Sequence, residues 1–141
     1  MNILGIDYGT KKIGLAIAYT DTKDDDESPI TMPLKTIETR GASDQLKKII
    51  SEYKIGIIVA GRPSSSKTTS ARVTRFVGEL KNALNVEAYF VDENLSSTHA
   101  KSMLSSLRQE TDISIKKFGT KDTMSAVLIL EQWFTENKKT S

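Results

Sequence analysis

Residues 3–19 read ILGIDYGTKKIGLAIAY, two short runs rich in Ile, Leu and Ala on either side of the polar segment Tyr8–Lys12. Within that segment Gly9 supplies a backbone permissive enough for a tight connection between two strands. The pattern predicts a β-hairpin, with one strand from Ile3 to Asp7 and a second from Ile13 to Tyr19. The first strand of a sheet therefore ends on a carboxylate.

The residues after the hairpin predict a third strand and then a helix. Met32–Glu38 alternates in polarity, and Pro33 suits a strand start or the edge of a sheet. Apolar residues then recur at helical spacing, which predicts an amphipathic helix with Ser43 as its N-cap. The residues of this stripe are Leu46, Ile49, Ile50 and Tyr53.

From residue 55 onward, strands and helices alternate. Ile55–Ala60 is an unbroken apolar run, which is typical of a strand buried on both faces. The predicted elements that follow are a polar loop at Gly61–Thr69, a helix with the stripe Val73, Phe76, Val77, Leu80 and Leu84, a strand at Val86–Val91, a helix at Leu95–Leu107, a polar connection at Gln109–Gly119 and a helix at Asp122–Phe134. The order predicts an α/β fold with a mixed sheet and helices on both faces.

The composition limits the classes of function that are open to the chain. Its 141 residues correspond to one average domain, so we expect a single domain over 1–141. There is no cysteine, which excludes thiolate zinc, iron–sulfur and redox-disulfide chemistry. The N-terminus lacks the basic and apolar regions of a signal peptide, and no apolar run approaches membrane-spanning length. We therefore expect a cytoplasmic protein with no membrane partner.

Charge is unevenly distributed along the chain. The formal net charge is +2, but the segment Asp21–Glu27 alone holds five acids and one base, which leaves a net charge of +6 on the remainder. Arg62, Lys67, Arg72 and Arg75 fall within one stretch without an intervening acid, and a second basic cluster contains Lys116, Lys117 and Lys121. Such an excess fits a polyanionic partner, although ordinary solvated surfaces have the same composition.

Three carboxylates occur at the ends of predicted elements. Asp7 ends the first strand, Glu93 follows the strand that ends at Val91, and Asp122 begins the last helix. Each has a local explanation, because turn hydrogen bonds, helix capping and the helix dipole all favour a carboxylate at such positions. In a mixed sheet of this order, however, the ends of the first and fifth strands can lie at one edge, and the last helix can pack back so that its first turn overlooks that edge.

A convergence of the three carboxylates predicts a metal site. Like charges that lie close together in a partly dry site stay ionised when a cation compensates them. Oxygen ligands select a hard divalent ion such as Mg²⁺ or Mn²⁺. Two such ions in one site are the arrangement that hydrolyses phosphodiester bonds. The residues alone therefore indicate metal-dependent phosphoryl chemistry on a polyanion.

Four segments, in order and spacing, resemble the motifs of the YqgF family: GIDYGTKKIGLA at 5–16, IVAGRP at 58–63, VDENLSS at 91–97 and DTMSAVLIL at 122–130. This family contains RNase H-like Holliday junction resolvases, also described as nucleases that mature the precursor of small-subunit ribosomal RNA. The resemblance implies an RNase H-like fold with a mixed five-stranded sheet. It also implies that Asp7, Glu93 and Asp122 are the catalytic acids and the metal ligands.

The resemblance further implies the substrate class. We expect a divalent-metal-dependent endonuclease acting on structured nucleic acid, either at the 5′ end of precursor small-subunit rRNA or on Holliday junctions. Asn94 stands where the family usually carries Arg, so the planar donor fork that suits phosphate is missing there. A homodimer is expected for a junction substrate, because cutting two strands symmetrically needs two sites. The candidates for contacting the phosphate backbone are Lys11, Arg62, Lys67 and Arg72.

Three alternative functions remain open at this stage. A noncatalytic nucleic-acid-binding factor in ribosome assembly could keep the same fold. Gly61–Thr68 nearly matches a P-loop, but Ser66 replaces a required glycine and Pro63 removes an N–H group. Residues 5–10 also resemble the first phosphate loop of actin-like and sugar-kinase-like ATPases. Those enzymes clamp nucleotide between two related domains, whereas the length of this chain predicts a single domain.

Overall fold

The computed structural model describes residues 2–19, 30–63, 65–92 and 121–137, with the backbone alone for residues 121, 122 and 137. These residues form five strands and three helices. In chain order they are β1 (Asn2–Tyr8), β2 (Lys12–Tyr19), β3 (Ile30–Glu38), α1 (Ala42–Glu52), β4 (Ile55–Arg62), α2 (Lys67–Leu84), β5 (Glu87–Asp92) and α3 (Lys121–Asn137).

The strands form one mixed sheet in the order β3-β2-β1-β4-β5. β1 pairs antiparallel with β2, and β2 pairs antiparallel with β3, so the predicted hairpin is confirmed. β1, β4 and β5 run parallel to one another. The carboxyl ends of β1, β4 and β5 therefore meet at one edge of the sheet, which we call the carboxyl edge.

Helices cover both faces of the sheet, as the sequence predicts. Along β1, Leu4 and Ile6 belong to the core beneath α1 and α2, whereas Ile3 belongs to the core beneath α3. Gly5 lies on the α3 face, because a Cβ there would come within 2.7 Å of Leu130 Cγ and 2.8 Å of the Ala126 carbonyl oxygen. A glycine on β1 thus lets α3 pack directly against the central strand.

The end of α3 packs against the β5 edge of the sheet through aromatic rings. The ring centroid of Trp133 lies 5.5 Å from that of Tyr89 and 5.2 Å from that of Phe134. Such offset aromatic pairs stabilise a contact beyond the area they bury. These rings therefore help to hold α3 against the sheet.

Some predicted element boundaries are wrong. Ser43 is not the N-cap of α1: Gly41 is, with a φ of 77°, and no side chain caps the helix. The left-handed backbone that glycine permits turns the chain into the helix, and the Ala42 N–H bonds the Thr39 carbonyl at 3.2 Å. The loop predicted at Gly61–Thr69 is shorter, because β4 continues to Arg62 and α2 begins at Lys67.

Several predictions fall outside the residues that the structure describes. They are the helix at Leu95–Leu107, the connection at Gln109–Gly119 and the acidic segment Asp21–Glu27. None of the helices described above has the length and apolarity that crossing a membrane requires.

Candidate active site

Asp7 lies near the carboxyl end of β1, where it opposes Gly14 of β2, and its side chain is half-buried. Side chains alternate along a strand, so Asp7 shares the α3 face with Gly5. The next residue, Tyr8, lies on the other face, where its ring centroid is 5.1 Å from that of Phe76 on α2. The sheet thus fixes the direction of the Asp7 carboxylate towards the side covered by α3.

Two contacts set the direction in which α3 crosses the sheet. Near the middle of β1, Gly5 meets Ala126 and Leu130. Near the end of the helix, Thr31 Oγ1 donates to Glu131 Oε1 at 2.5 Å. Thr31 opposes Ala18, which in turn opposes Ile3 at the amino end of β1. Along β1, the Glu131 side of α3 therefore lies towards the amino end of the strand, which directs the first turn of the helix towards the carboxyl end of β1.

The first turn of α3 and the end of β1 extend by similar lengths from one contact point. Residue 122 precedes Ala126 by one turn, which is about 6 Å along a helix axis. Asp7 follows Gly5 by two residues, which is roughly 6.6 Å along a strand. Since Ala126 contacts Gly5, both steps lead from one contact point to the carboxyl edge. These two steps direct the first turn of α3 towards the end of β1 that carries Asp7, while the side chain of residue 122 is outside the described atoms.

The end of β5 is tied to the same helix. β5 ends at Asp92, whose Cα pairs with Arg62 of β4. The Gln132 side-chain amide donates to the Asp92 carbonyl oxygen at 3.2 Å. Glu93, the third predicted acid, directly follows Asp92 in the chain and lies outside the described residues.

The donor chemistry at this edge fits a hard divalent cation. Carboxylate oxygens are the ligands that Mg²⁺ and Mn²⁺ prefer, and the chain has no thiol to offer a softer ion. Among the described side chains there is no group of three His, Cys, Asp or Glu residues that could hold a metal. Of the predicted trio, only the Asp7 side chain belongs to the described atoms.

Arg62 lies on the face opposite to Asp7. Its guanidinium carbon is 4.2 Å from the centroid of the Phe90 ring, and its Nη1 donates to Thr74 Oγ1 of α2 at 3.3 Å. Stacking on an aromatic ring stabilises a guanidinium group and holds it in place. The structure therefore does not bring the Arg62 guanidinium to the face that Asp7 occupies.

The other three predicted cations are exposed, and two of them, Lys11 and Lys67, lie at the carboxyl edge. Lys11 is in the turn between β1 and β2, and Lys67 is the first residue of α2, directly after the loop that leaves β4. Arg72 lies farther along α2. Their positions leave all three ammonium or guanidinium groups open to a ligand from solvent.

Ser66 caps the start of α2 with its own side chain. Its Oγ accepts a hydrogen bond from the Thr69 N–H at 3.3 Å, and its N–H donates to the Pro63 carbonyl at 3.3 Å. In a P-loop, the backbone N–H groups at this position wrap a phosphate. Here one of those N–H groups is satisfied within the chain, which weighs against the P-loop interpretation of this segment.

Thr39 is a residue near the site that the sequence analysis missed. Its hydroxyl donates to the Gly9 carbonyl at 2.7 Å, and its N–H donates to the Lys11 carbonyl at 3.0 Å. Gly9 has no room for a side chain, since a Cβ there would be 2.4 Å from the Lys12 carbonyl oxygen. The turn that follows Asp7 and carries Lys11 is thus fixed by a residue 30 positions away, which local sequence patterns do not reveal.

Comparison with known proteins agrees with this architecture. Among solved structures, a Fowlpox virus resolvase in complex with Holliday junction DNA is similar with a TM-score of 0.63 and 12% identity, over 96% of this chain and 98% of that one. The Thermus thermophilus RuvC structure is similar with a TM-score of 0.59 and 12% identity, over 92% and 90%. At such identities the likeness concerns the fold, which is RNase H-like as the motifs implied.

Sequence relatives cover nearly the whole chain. A protein of Buchnera aphidicola subsp. Baizongia pistaciae is 32% identical over 98% of this chain and 99% of its own length, and one from Thermoanaerobacter pseudethanolicus is 33% identical with the same coverage. Both carry the name "Putative pre-16S rRNA nuclease". The family model of RuvX, described as Holliday junction resolvase, matches residues 1–136. On this match and these motifs, the chain belongs to the RuvX family.

Proposed function

We propose that the chain is a divalent-metal-dependent endonuclease that trims the 5′ end of precursor small-subunit ribosomal RNA in the cytoplasm. Support for RNA comes from relatives at 32% and 33% identity that carry the name "Putative pre-16S rRNA nuclease". A second candidate substrate is the four-way DNA junction, which the description of the family favours. For the junction, two copies of the chain would act together, because both strands must be cut.

One observation carries the proposal. The Asp7 carboxylate lies near the carboxyl end of β1, on the face covered by α3, and the contacts of Gly5 and Thr31 direct the first turn of α3 to that same place. Asp122 belongs to that first turn, and Glu93 is the residue after β5, which ends at the same edge. This arrangement supports the proposal that three acids far apart in sequence converge at the carboxyl edge.

The residues of the site would have separate roles. Asp7, Glu93 and Asp122 would hold the cations, with Asp7 on the central strand as the most rigidly supported ligand. Bound Mg²⁺ or Mn²⁺ supplies an activated water and stabilises the departing oxygen of the phosphodiester. Lys11 would attract backbone phosphates beside Asp7, and Lys67, at the carboxyl edge where α2 begins, would attract the phosphates that continue past this edge. Specificity would follow from the shape of the nucleic acid, since these contacts reach phosphates and not base edges.

The decisive experiment compares cleavage of precursor 16S rRNA and of a four-way DNA junction, with added Mg²⁺ or Mn²⁺ and with EDTA. Asp7→Asn should lower the cleavage rate by more than about a hundredfold, because even residues that only support a metal ligand contribute 10- to 100-fold. Glu87→Gln is the matched control, since Glu87 is an exposed carboxylate at the start of β5, at the opposite end of that strand from the carboxyl edge. It should cleave at the wild-type rate.

The same assay separates the enzyme from the noncatalytic factor. If wild type binds either nucleic acid but cleaves neither with any divalent ion, the protein is a binding factor with this fold. Cleavage that persists in Asp7→Asn, or that does not respond to EDTA, would contradict the metal site. If only one of the two nucleic acids is cleaved, that nucleic acid is identified as the substrate.

A further inference from the structure

The outward sides of α1 and α2, with the turns that flank them, are strongly cationic; we call this surface the basic helical face. Its exposed basic residues are Arg40, Lys47, Lys48, Lys54, Lys67, Arg72, Arg75 and Lys81, and its exposed acids are Asp44, Glu52 and Glu79. Eight bases against three acids give this face a net charge of +5, which exceeds the net charge of +2 of the whole chain.

The basic helical face lies on the side of the sheet opposite to Asp7. α1 and α2 cover the core that contains Leu4 and Ile6, whereas Asp7 shares the other face with Gly5. The charge of α3 on that other face differs in sign: its described side chains include Glu131 and Glu136 and no Lys or Arg. Among the helices whose side chains the structure describes, the positive charge therefore lies on the face opposite to Asp7.

These cations are available to a ligand from solvent. Among the described residues, one ion pair forms on the basic helical face, between Arg75 Nε and Glu79 Oε1 at 3.5 Å, and both side chains are largely exposed. The other basic residues of the face form no ion pair with a described acid. Neutralising phosphates with such side chains releases condensed counterions, which is the main source of affinity for a nucleic acid backbone.

The geometry also connects the face to the site. α2 begins at Lys67, directly after the loop from β4, so one end of the face starts at the carboxyl edge where Asp7 lies. From Lys67 to Lys81 a helix rises about 21 Å. At 3.4 Å per base pair, that length matches roughly six base pairs of duplex.

We propose that the basic helical face binds the phosphodiester backbone of a substrate arm that continues past the carboxyl edge, beyond the segment held at Asp7. This inference rests on the proposed function for the segment at Asp7, and it assigns the opposite side of the molecule to a different part of the same nucleic acid. The face recognises charge and spacing, so an arm of any sequence binds it if the arm is long enough.

The test is a binding titration in EDTA with two four-way DNA junctions that share one centre and have arms of about 4 and about 20 base pairs, each short arm being closed by a hairpin loop. Wild type should bind the long-armed junction more tightly, with a steeper dependence on salt. Lys47→Gln/Lys48→Gln should reduce the slope of log affinity against log salt by about two for the long arms only. Its loss of affinity between 50 and 200 mM salt should then be about tenfold smaller than that of wild type.

Controls separate charge from structure. Lys47→Arg/Lys48→Arg keeps both charges and should keep the wild-type slope, while Arg75→Gln/Lys81→Gln on α2 should repeat the effect independently. The inference would be overturned if wild type had the same slope of log affinity against log salt for both arm lengths. It would also be overturned if the variants changed this slope equally on both junctions. Cleavage with Mg²⁺ is measured in parallel, so a failure of the proposed nuclease activity is seen separately from a failure of the arm-binding surface.

Discussion

At the scale of single residues, Gly5 decides how closely α3 approaches β1. An alanine Cβ at this position would be 2.8 Å from the Ala126 carbonyl oxygen, a backbone atom that moves only if the helix moves. We expect Gly5→Ala to lower the free energy of unfolding by about 1–3 kcal/mol, the usual cost of overpacking. Urea unfolding at equilibrium measures this cost.

A glycine on α2 provides the matched control. A Cβ at Gly78 would have nothing within 4 Å, and the residue lies inside a helix. Gly78→Ala should therefore raise the free energy of unfolding by up to about 1 kcal/mol, because alanine restricts the unfolded chain and favours helix. Equal stability of wild type and Gly5→Ala would show that α3 shifts freely, and the packing argument would then be wrong.

The sequence predicts that Asp7 needs a compensating partner, but it does not predict that Gly5 lies in close contact with α3. An acid at the end of an apolar strand needs a compensating partner, and that requirement can be read locally. Gly5 is instead required by the close approach of Ala126 and Leu130, which are more than 120 residues later in the chain. Ser43 was expected as an N-cap from its side chain, whereas the left-handed turn before α1 required the backbone freedom of Gly41. Local chemistry can be read from a sequence, while close approach between distant elements cannot.

At the scale of elements, Thr39 joins the end of β3 to the turn between β1 and β2. Its hydroxyl donates to the Gly9 carbonyl at 2.7 Å. Thr39→Val keeps the shape and removes the donor, so a carbonyl that is part-buried loses its partner, at a cost of about 1 kcal/mol. Since the turn carries Lys11, we expect the KM for the cleaved nucleic acid to rise several-fold while kcat changes little.

Thr39→Ser is the rescue variant for this turn. Serine keeps the hydroxyl and should restore the KM of wild type. If Thr39→Val and Thr39→Ser have the same KM, the hydrogen bond to Gly9 does not position the turn. A fall of kcat with an unchanged KM would place the effect at the metal ligands instead.

Element boundaries show where sequence patterns stop being informative. The core of each described strand was predicted because apolar runs mark buried segments, and the hairpin was predicted from the glycine between two such runs. The ends were less accurate: α2 begins at Lys67, six residues before Val73, the first residue of its predicted apolar stripe. The first turns of that helix are polar, and Ser66 caps them through Thr69, so hydrophobic periodicity gives no signal there.

At the scale of the whole molecule, metal binding should stabilise the fold. In the proposed site, Asp7, Glu93 and Asp122 would repel one another in the folded state alone, so a cation bound there would favour folding. A ligand present at a hundred times its Kd adds about 2.7 kcal/mol to the free energy of unfolding. We expect Mn²⁺ or Mg²⁺ to raise the Tm of wild type relative to EDTA, and Asp7→Asn to remove most of this increase. An equal increase in Asp7→Asn would place the bound ion elsewhere.

Which helices and side chains lie on which face of the sheet could be seen only in the structure. The sequence predicted a mixed sheet with helices on both faces, and it identified the basic residues of α2 as a cluster. Which helices share a face depends on the order β3-β2-β1-β4-β5 and on how each crossover passes the sheet. Only then does it become visible that Arg62 stacks on Phe90 behind the sheet, away from Asp7.

The aromatic contact at the end of α3 gives the molecule a built-in optical reporter. Trp133 is the single tryptophan of the chain, and its ring is 5.5 Å from Tyr89 on an edge strand of the sheet. Its fluorescence emission therefore responds directly when the last helix leaves the sheet. The packing of α3 against the sheet can therefore be followed without attaching a label, because the indole already lies at the contact between the helix and the sheet.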